Sequence, residues 1–157
     1  MKKVSGFFAT AALTLLLLVS ACGGSGRLSA SDYRAHLETI AKESDAAQHA
    51  VEKGFQSTSV PQLVRVLSVF GAAEKRIGDE VDALKPPKDA EAANTELATG
   101  QHDTASEVQA LLPKVKKMPS AKAAIAYLSK TPTTKGGREV DEALAMLKKL
   151  GYIKKVS

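Results

Sequence analysis

The chain has 157 residues, with 22 Lys and Arg against 17 Asp and Glu and a formal net charge of +5. Its single cysteine excludes an intramolecular disulfide framework. Aromatic residues make up only 4% and tryptophan is absent. The abundance of Ala, Leu, Lys and Glu favours helices over strands.

The N-terminus carries an export pattern. Lys2 and Lys3 precede an uncharged apolar run over residues 7–19. That run is too short to cross a hydrocarbon core of about 30 Å, which needs roughly 20 residues. It ends in Val19-Ser20-Ala21-Cys22, and these four residues resemble the lipobox of bacterial lipoproteins. The alternatives are ordinary secretion with cleavage elsewhere and an uncleaved anchor.

The resemblance implies cleavage between Ala21 and Cys22 and acylation of Cys22, with a diacylglyceryl group and often a third chain such as palmitate. The chain then divides into a signal peptide (1–21), a lipidated Cys22 with a Gly/Ser-rich flexible linker (22–30) and a helical domain (31–157). We expect the protein to be lipid-anchored on the extracytoplasmic side of a cell membrane or outer membrane. A nucleic-acid partner is not expected there.

Two long amphipathic helices follow the linker. Apolar side chains at alternating steps of four and three predict a first helix over residues 31–53, with Ser29 or Ser31 as N-cap and Gly54 as the C-terminal glycine. A second helix is predicted from Pro61 to about residue 84, where Lys85-Pro86-Pro87 ends it. This helix is the most hydrophobic, so we expect it at the centre of the core.

The rest of the chain predicts one more long helix and two shorter ones. The long helix covers residues 89–112, and Pro113 is expected to close it. A short helix capped by Ser120 follows. After a loop over residues 131–137, a last helix ends at Gly151. Short connections imply antiparallel neighbours, so the fold class is an all-α antiparallel bundle of three longer and two shorter helices.

Charge is distributed unevenly along the chain. Residues 28–112 carry 8 basic and 14 acidic side chains, whereas residues 113–157 carry 11 basic and 3 acidic. Such asymmetry is typical of a region that faces anionic lipid or an anionic envelope polymer. The alternatives are that the two regions attract each other, or that the lysines solvate helix faces. A protein partner cannot be predicted from the sequence.

The chain has few candidates for a metal or ligand site. Asp45, His49 and Glu52 follow an i, i+4, i+7 spacing on the first helix and are weak metal candidates, since His49 lies nearly opposite the apolar stripe. His102 and Asp103 are adjacent, hence about 100° apart on a helix. We expect no metal and no cofactor.

Two groups of side chains suggest other sites. Tyr33, Arg34 and His36 together suggest either a ligand pocket or ordinary packing. The third helix carries polar residues on its apolar stripe, which suggest either a wet crevice or an edge helix: Asn94, Gln101 and Thr104.

No set of nucleophile, acid and base is visible in the sequence. We therefore expect a non-enzymatic binding or accessory module. A helical bundle that binds a small ligand or a metal is the alternative.

Overall fold

The computed structural model describes residues 26–56, 59–131 and 134–153. The predicted signal peptide and Cys22 lie outside these ranges. The described chain is all-α without strands, which confirms the predicted helical bundle. A 3-10 turn covers Lys88–Ala90. The five helices are α1 (Ala30–Gly54), α2 (Val60–Ala83), α3 (Glu91–Lys116), α4 (Ala121–Leu128) and α5 (Lys135–Lys149).

The long helices alternate in direction. On α2, Gly71 faces Val108 and Gly78 faces His102, so α2 and α3 run antiparallel. We call the end where α1 begins, α2 ends, α3 begins and α5 ends the entry end. The opposite end, where α1 ends, α2 begins, α3 ends and α4 follows, is the far end.

Helix α3 is central and packs most extensively against α2 and next against α5. Helix α2 packs against α1, α3 and α4 and shares the central position with α3. Small residues explain why α3 is central despite its weaker apolar stripe, because Ala93, Ala98, Gly100 and Ala105 on α3 are all buried and let neighbouring backbones approach closely. The spacing of large apolar side chains underestimates how much of a helix is buried when its buried face is built from alanine and glycine.

Two apolar clusters fill the bundle. The entry cluster joins four helices through side chains such as Tyr33 on α1, Val81 on α2, Leu97 on α3 and Leu147 on α5. The far cluster joins α2, α3 and α4, and its buried members are Leu63, Leu67, Val108, Leu112, Val115 and Ala124. Each half of the molecule therefore has its own apolar core.

Two predicted helix boundaries were wrong. Pro113 lies inside α3, which continues to Lys116. The proline is exposed, so the backbone acceptor that loses its donor lies at the surface. Gly136 lies in the first turn of α5, because Thr134 caps that helix and accepts a hydrogen bond from the Gly137 N–H.

The end of α1 also differs from expectation. Gly54 is the last helical residue and is buried. A Cβ at this position would lie within 3.0 Å of the Val66 side chain, so only glycine fits without a shift. It serves close packing rather than a left-handed cap. At the other end of α1, Ser29 is the N-cap, as predicted. No helix of the described chain is long and apolar enough to cross a membrane.

Candidate functional site

The weak metal candidates of α1 are exposed. His49 Nδ1 lies 3.0 Å from Glu52 Oε2, and both side chains are 71% accessible. Asp45 is exposed and joins no hydrogen bond with them. Within the described ranges, no group of three or more His, Cys, Asp or Glu side chains is arranged to hold a metal ion.

The Tyr33, Arg34 and His36 group is divided by the fold. Tyr33 is fully buried, and its hydroxyl donates to Asn94 Oδ1 at 3.0 Å. Burial raises its pKa to about 12, so this donor stays protonated. Arg34 lies over the Tyr152 ring, 5.6 Å from its centroid, while His36 is exposed. The first two residues support packing at the entry end rather than a pocket.

The polar residues of the α3 stripe have different roles. Asn94 is buried and bridges helices, since its Nδ2 donates to the Val81 carbonyl at 2.9 Å while its Oδ1 accepts from Tyr33. Gln101 is equally buried, but its Oε1 has no hydrogen-bond partner among the described residues. Thr104 is partly buried against Gly136. The helix is central, so the interpretation as an edge helix was wrong.

The adjacent pair on α3 contacts two different helices. His102 Nε2 lies 3.2 Å from Asp82 Oδ2 on α2. Asp103 accepts from Lys135 on α5, and that hydrogen bond lowers the Asp103 pKa. Successive helical residues point about 100° apart, so His102 contacts α2 while Asp103 contacts α5.

Glu74 is a buried carboxyl that the sequence analysis missed. It lies on the α2 face between Gly71 and Gly78, and only 4% of it is accessible. Desolvation raises its pKa to about 7. The signal that marks it is the seven-residue spacing of the two glycines, which identifies one helix face. It is a single carboxyl and does not constitute a site.

The chain enters the bundle through a fixed segment at the entry end. The Leu28 N–H donates to the Lys85 carbonyl at 2.8 Å. Arg27 donates to the Pro86 carbonyl at 3.0 Å and pairs with Glu91 at 3.2 Å. These contacts lie within the predicted flexible linker of residues 22–30. The chain therefore makes contact with the bundle from Arg27 onwards, five residues after Cys22.

The far end carries an excess of positive charge. Glu52, paired with His49, is the one acidic residue in the far-end segments, which are residues 51–56, 59–67 and 110–131. The same segments carry seven basic side chains, all exposed and none in an ion pair within the described structure. We call them the far-end basic surface: Lys53, Arg65, Lys114, Lys116, Lys117, Lys122 and Lys130.

Some basic residues of the C-terminal region form ion pairs, and others do not. Lys135 of α5 pairs with Asp103 and Glu139, and this is the mutual attraction considered from the sequence. The lysines at the end of α3 and in α4 have no such partners among the described residues. The entry end differs again. Its basic residues, such as Lys85 and Lys148, are interspersed with acidic ones, such as Asp82 and Asp89.

The chain was compared with protein families, curated proteins and solved structures, and none matches it. Its function is therefore inferred from its own residues.

Proposed function

We propose that the protein is a lipid-anchored, extracytoplasmic binding module of the bacterial envelope without enzymatic activity. Residues 19–22 support the anchor through their resemblance to a lipobox. The far-end basic surface supports a binding role, because seven exposed cations that form no ion pair with the described residues are concentrated on one end of a small bundle. Its ligand is anionic, either lipid or an envelope polymer.

The observation that carries the proposal is the position of this surface relative to the chain entry. The contacts of Arg27 and Leu28 fix the chain at the entry end, so an anchor at Cys22 tethers that end. The cations are displayed at the opposite end. A tether and a charged surface at opposite ends are the arrangement expected of a module that binds something away from its attachment point.

Intact-mass analysis of membrane-extracted protein tests the anchor. We expect the mass of residues 22–157 plus a diacylglyceryl group, with or without a third acyl chain. Cys22→Ser is expected to abolish both the lipid mass and membrane retention, because more than one acyl chain is needed for lasting attachment. An unprocessed, unacylated chain would refute the anchor.

A further inference from the structure

We infer that the far-end basic surface binds a flexible linear polyanion, one with repeating phosphate or carboxylate groups, lying beyond the lipid headgroups. This inference deepens the proposed function and rests on its anchor at Cys22. It selects one of the two anionic ligands left open above. The selection depends on the geometry of the tether and on the chemistry of the cations.

The anchor and the far-end basic surface lie at opposite ends of the long axis of the bundle. Residues 22–26 span at most about 18 Å when fully extended. The 24 residues of α2 extend about 36 Å from one end of the bundle to the other. A bundle that stands upright on its entry end displays the far-end basic surface about 35 Å from its attachment point, well beyond a Debye length of about 8 Å. A bundle that lies along the membrane would instead bring the same lysines to the lipid, and the vesicle arm of the test below detects that outcome.

The cations themselves suit a chain of anionic groups. Six of the seven are lysines, whose ammonium groups are mobile point charges without the fixed fork of arginine. They come from separate segments, including the end of α1 at Lys53, the start of α2 at Arg65, the end of α3 at Lys116 and α4 at Lys122. A small anion contacts one or two such groups, whereas a polymer contacts several at once and releases its counterions.

The far end also lacks the negative charge that would oppose this ligand. Glu52 is the one carboxylate in its segments, and it pairs with His49. At the entry end, by contrast, Asp32, Asp82, Asp89 and Glu91 lie among the basic residues. A polyanion would be repelled by these carboxylates, so the two ends differ in local charge and not merely in their distance from the lipid.

The test measures binding of long-chain inorganic polyphosphate to the full chain carrying Cys22→Ser. The far-end variant combines Lys114→Gln, Lys116→Gln, Lys117→Gln and Lys122→Gln. The matched control removes the same charge from four exposed lysines elsewhere that form no ion pair in the described structure: Lys42→Gln, Lys85→Gln, Lys88→Gln and Lys148→Gln. Circular dichroism verifies that all three proteins are folded.

We expect the far-end variant to bind polyphosphate at least about tenfold more weakly and the control less than about threefold more weakly. Affinity of the parent chain should fall on the order of a hundredfold between 50 and 200 mM salt if four contacts are made. Equal losses in the two variants would show that only net charge matters and would overturn the inference. Absence of binding at 50 mM salt would do the same.

A second arm separates lipid from polymer. The acylated wild-type and far-end variant proteins are inserted into vesicles of phosphatidylcholine with 30% phosphatidylglycerol, and polyphosphate is then added. We expect the inserted wild-type protein to capture polyphosphate and the variant not to do so. If the anionic vesicle surface occupies the lysines and blocks capture, the ligand is lipid and the inference fails. Failure of the anchor appears separately, as the absence of acyl mass on Cys22.

Discussion

The two ends of the bundle are built differently. At the entry end, apolar packing is reinforced by hydrogen bonds between elements: Tyr33 to Asn94, Asn94 to the Val81 carbonyl, and Tyr152 to Asp89. At the far end, the side-chain hydrogen bonds of the described residues are local, as between Ser68 and the Val64 carbonyl. That end is held by the far cluster and by the packing of Gly54 against Val66, and it is covered by like charges.

This difference gives the two ends different roles: the entry end stabilises the fold, and the far end exposes positive charge. Buried polar contacts specify how helices are aligned, because a shift would leave them unsatisfied. Uncompensated surface charge contributes nothing to folding and opposes the compact state through repulsion. The entry end therefore defines the fold and the position of the tether, while the far end presents charge to an external ligand.

The largest expected effect comes from closing the gap between α3 and α5. A Cβ on Gly136 would lie 2.6 Å from Thr104 Oγ1 and 2.7 Å from the Gly100 carbonyl oxygen, so backbones must separate. We expect Gly136→Ala to lower the free energy of unfolding by more than about 3 kcal/mol in urea titrations. Gly71→Ala is the control, because its Cβ meets side-chain atoms and no backbone, with Val108 Cγ1 at 3.2 Å and Gln109 Nε2 at 3.5 Å, and a loss of about 1 kcal/mol is expected. Equal losses of unfolding free energy in the two variants would refute a close backbone contact between α3 and α5.

The next effect concerns Glu74, between the two clusters. Its pKa rises from 4.5 in the unfolded chain to about 7 in the bundle. The unfolded chain therefore loses this proton first, and stability falls as pH rises from 4.5 to 7, by as much as about 3 kcal/mol. We expect Glu74→Gln to gain about 2 kcal/mol at pH 8 and almost nothing at pH 4.5. A gain that is the same at both pH values would contradict this, and thermal unfolding across the range measures it.

A smaller effect is expected at the entry end. Tyr33→Phe removes the donor to Asn94 Oδ1 and leaves a buried acceptor unsatisfied, at a cost of about 1.5 kcal/mol. Urea titration provides the measurement. Tyr127→Phe is the control, because Tyr127 is partly buried in α4 and its hydroxyl makes no hydrogen bond with another described residue. A loss in the control as large as that of Tyr33→Phe would argue against a structural role for the hydrogen bond.

The smallest effect on folding is expected at the far end. The four lysine-to-glutamine substitutions on Lys114, Lys116, Lys117 and Lys122 should change the free energy of unfolding by less than about 0.5 kcal/mol, since all four side chains are exposed and form no ion pair in the part of the chain that the structure describes. The same urea titrations measure it. A loss above about 1 kcal/mol would mean that these residues stabilise the fold, and the division between the two ends would not hold.

Much of the fold could be predicted from the sequence. The spacing of Leu63, Leu67, Ile77 and Val81 predicts α2, and all four are buried. The predicted caps Ser29 and Ser120 mark helix starts in the structure. Local signals of this kind depend on residues a turn or two apart, which is why they can be read without tertiary information.

Features that depend on tertiary packing could not be predicted. The central position of α3 depends on Gly100 meeting Gly136, a contact between residues distant in sequence. Pro113 is tolerated inside α3 because its position lies at the exposed surface of the bundle. That exposure is set by how the helices pack and not by the local sequence. The basic excess after residue 113 was visible, but its division between a neutralised Lys135 and the far-end lysines depends on how α5 packs on α3.

The position of each end above a membrane is the central claim, and Förster transfer to acceptors on lipid headgroups tests it directly. Cys22 is the one natural cysteine and is expected to be acylated, so Lys88→Cys and Lys117→Cys each provide a unique labelling site in vesicle-bound protein. We predict strong transfer from position 88, at the entry end, and weak transfer from position 117, about 35 Å farther away. Equal transfer from both positions, or stronger transfer from position 117, would contradict the account.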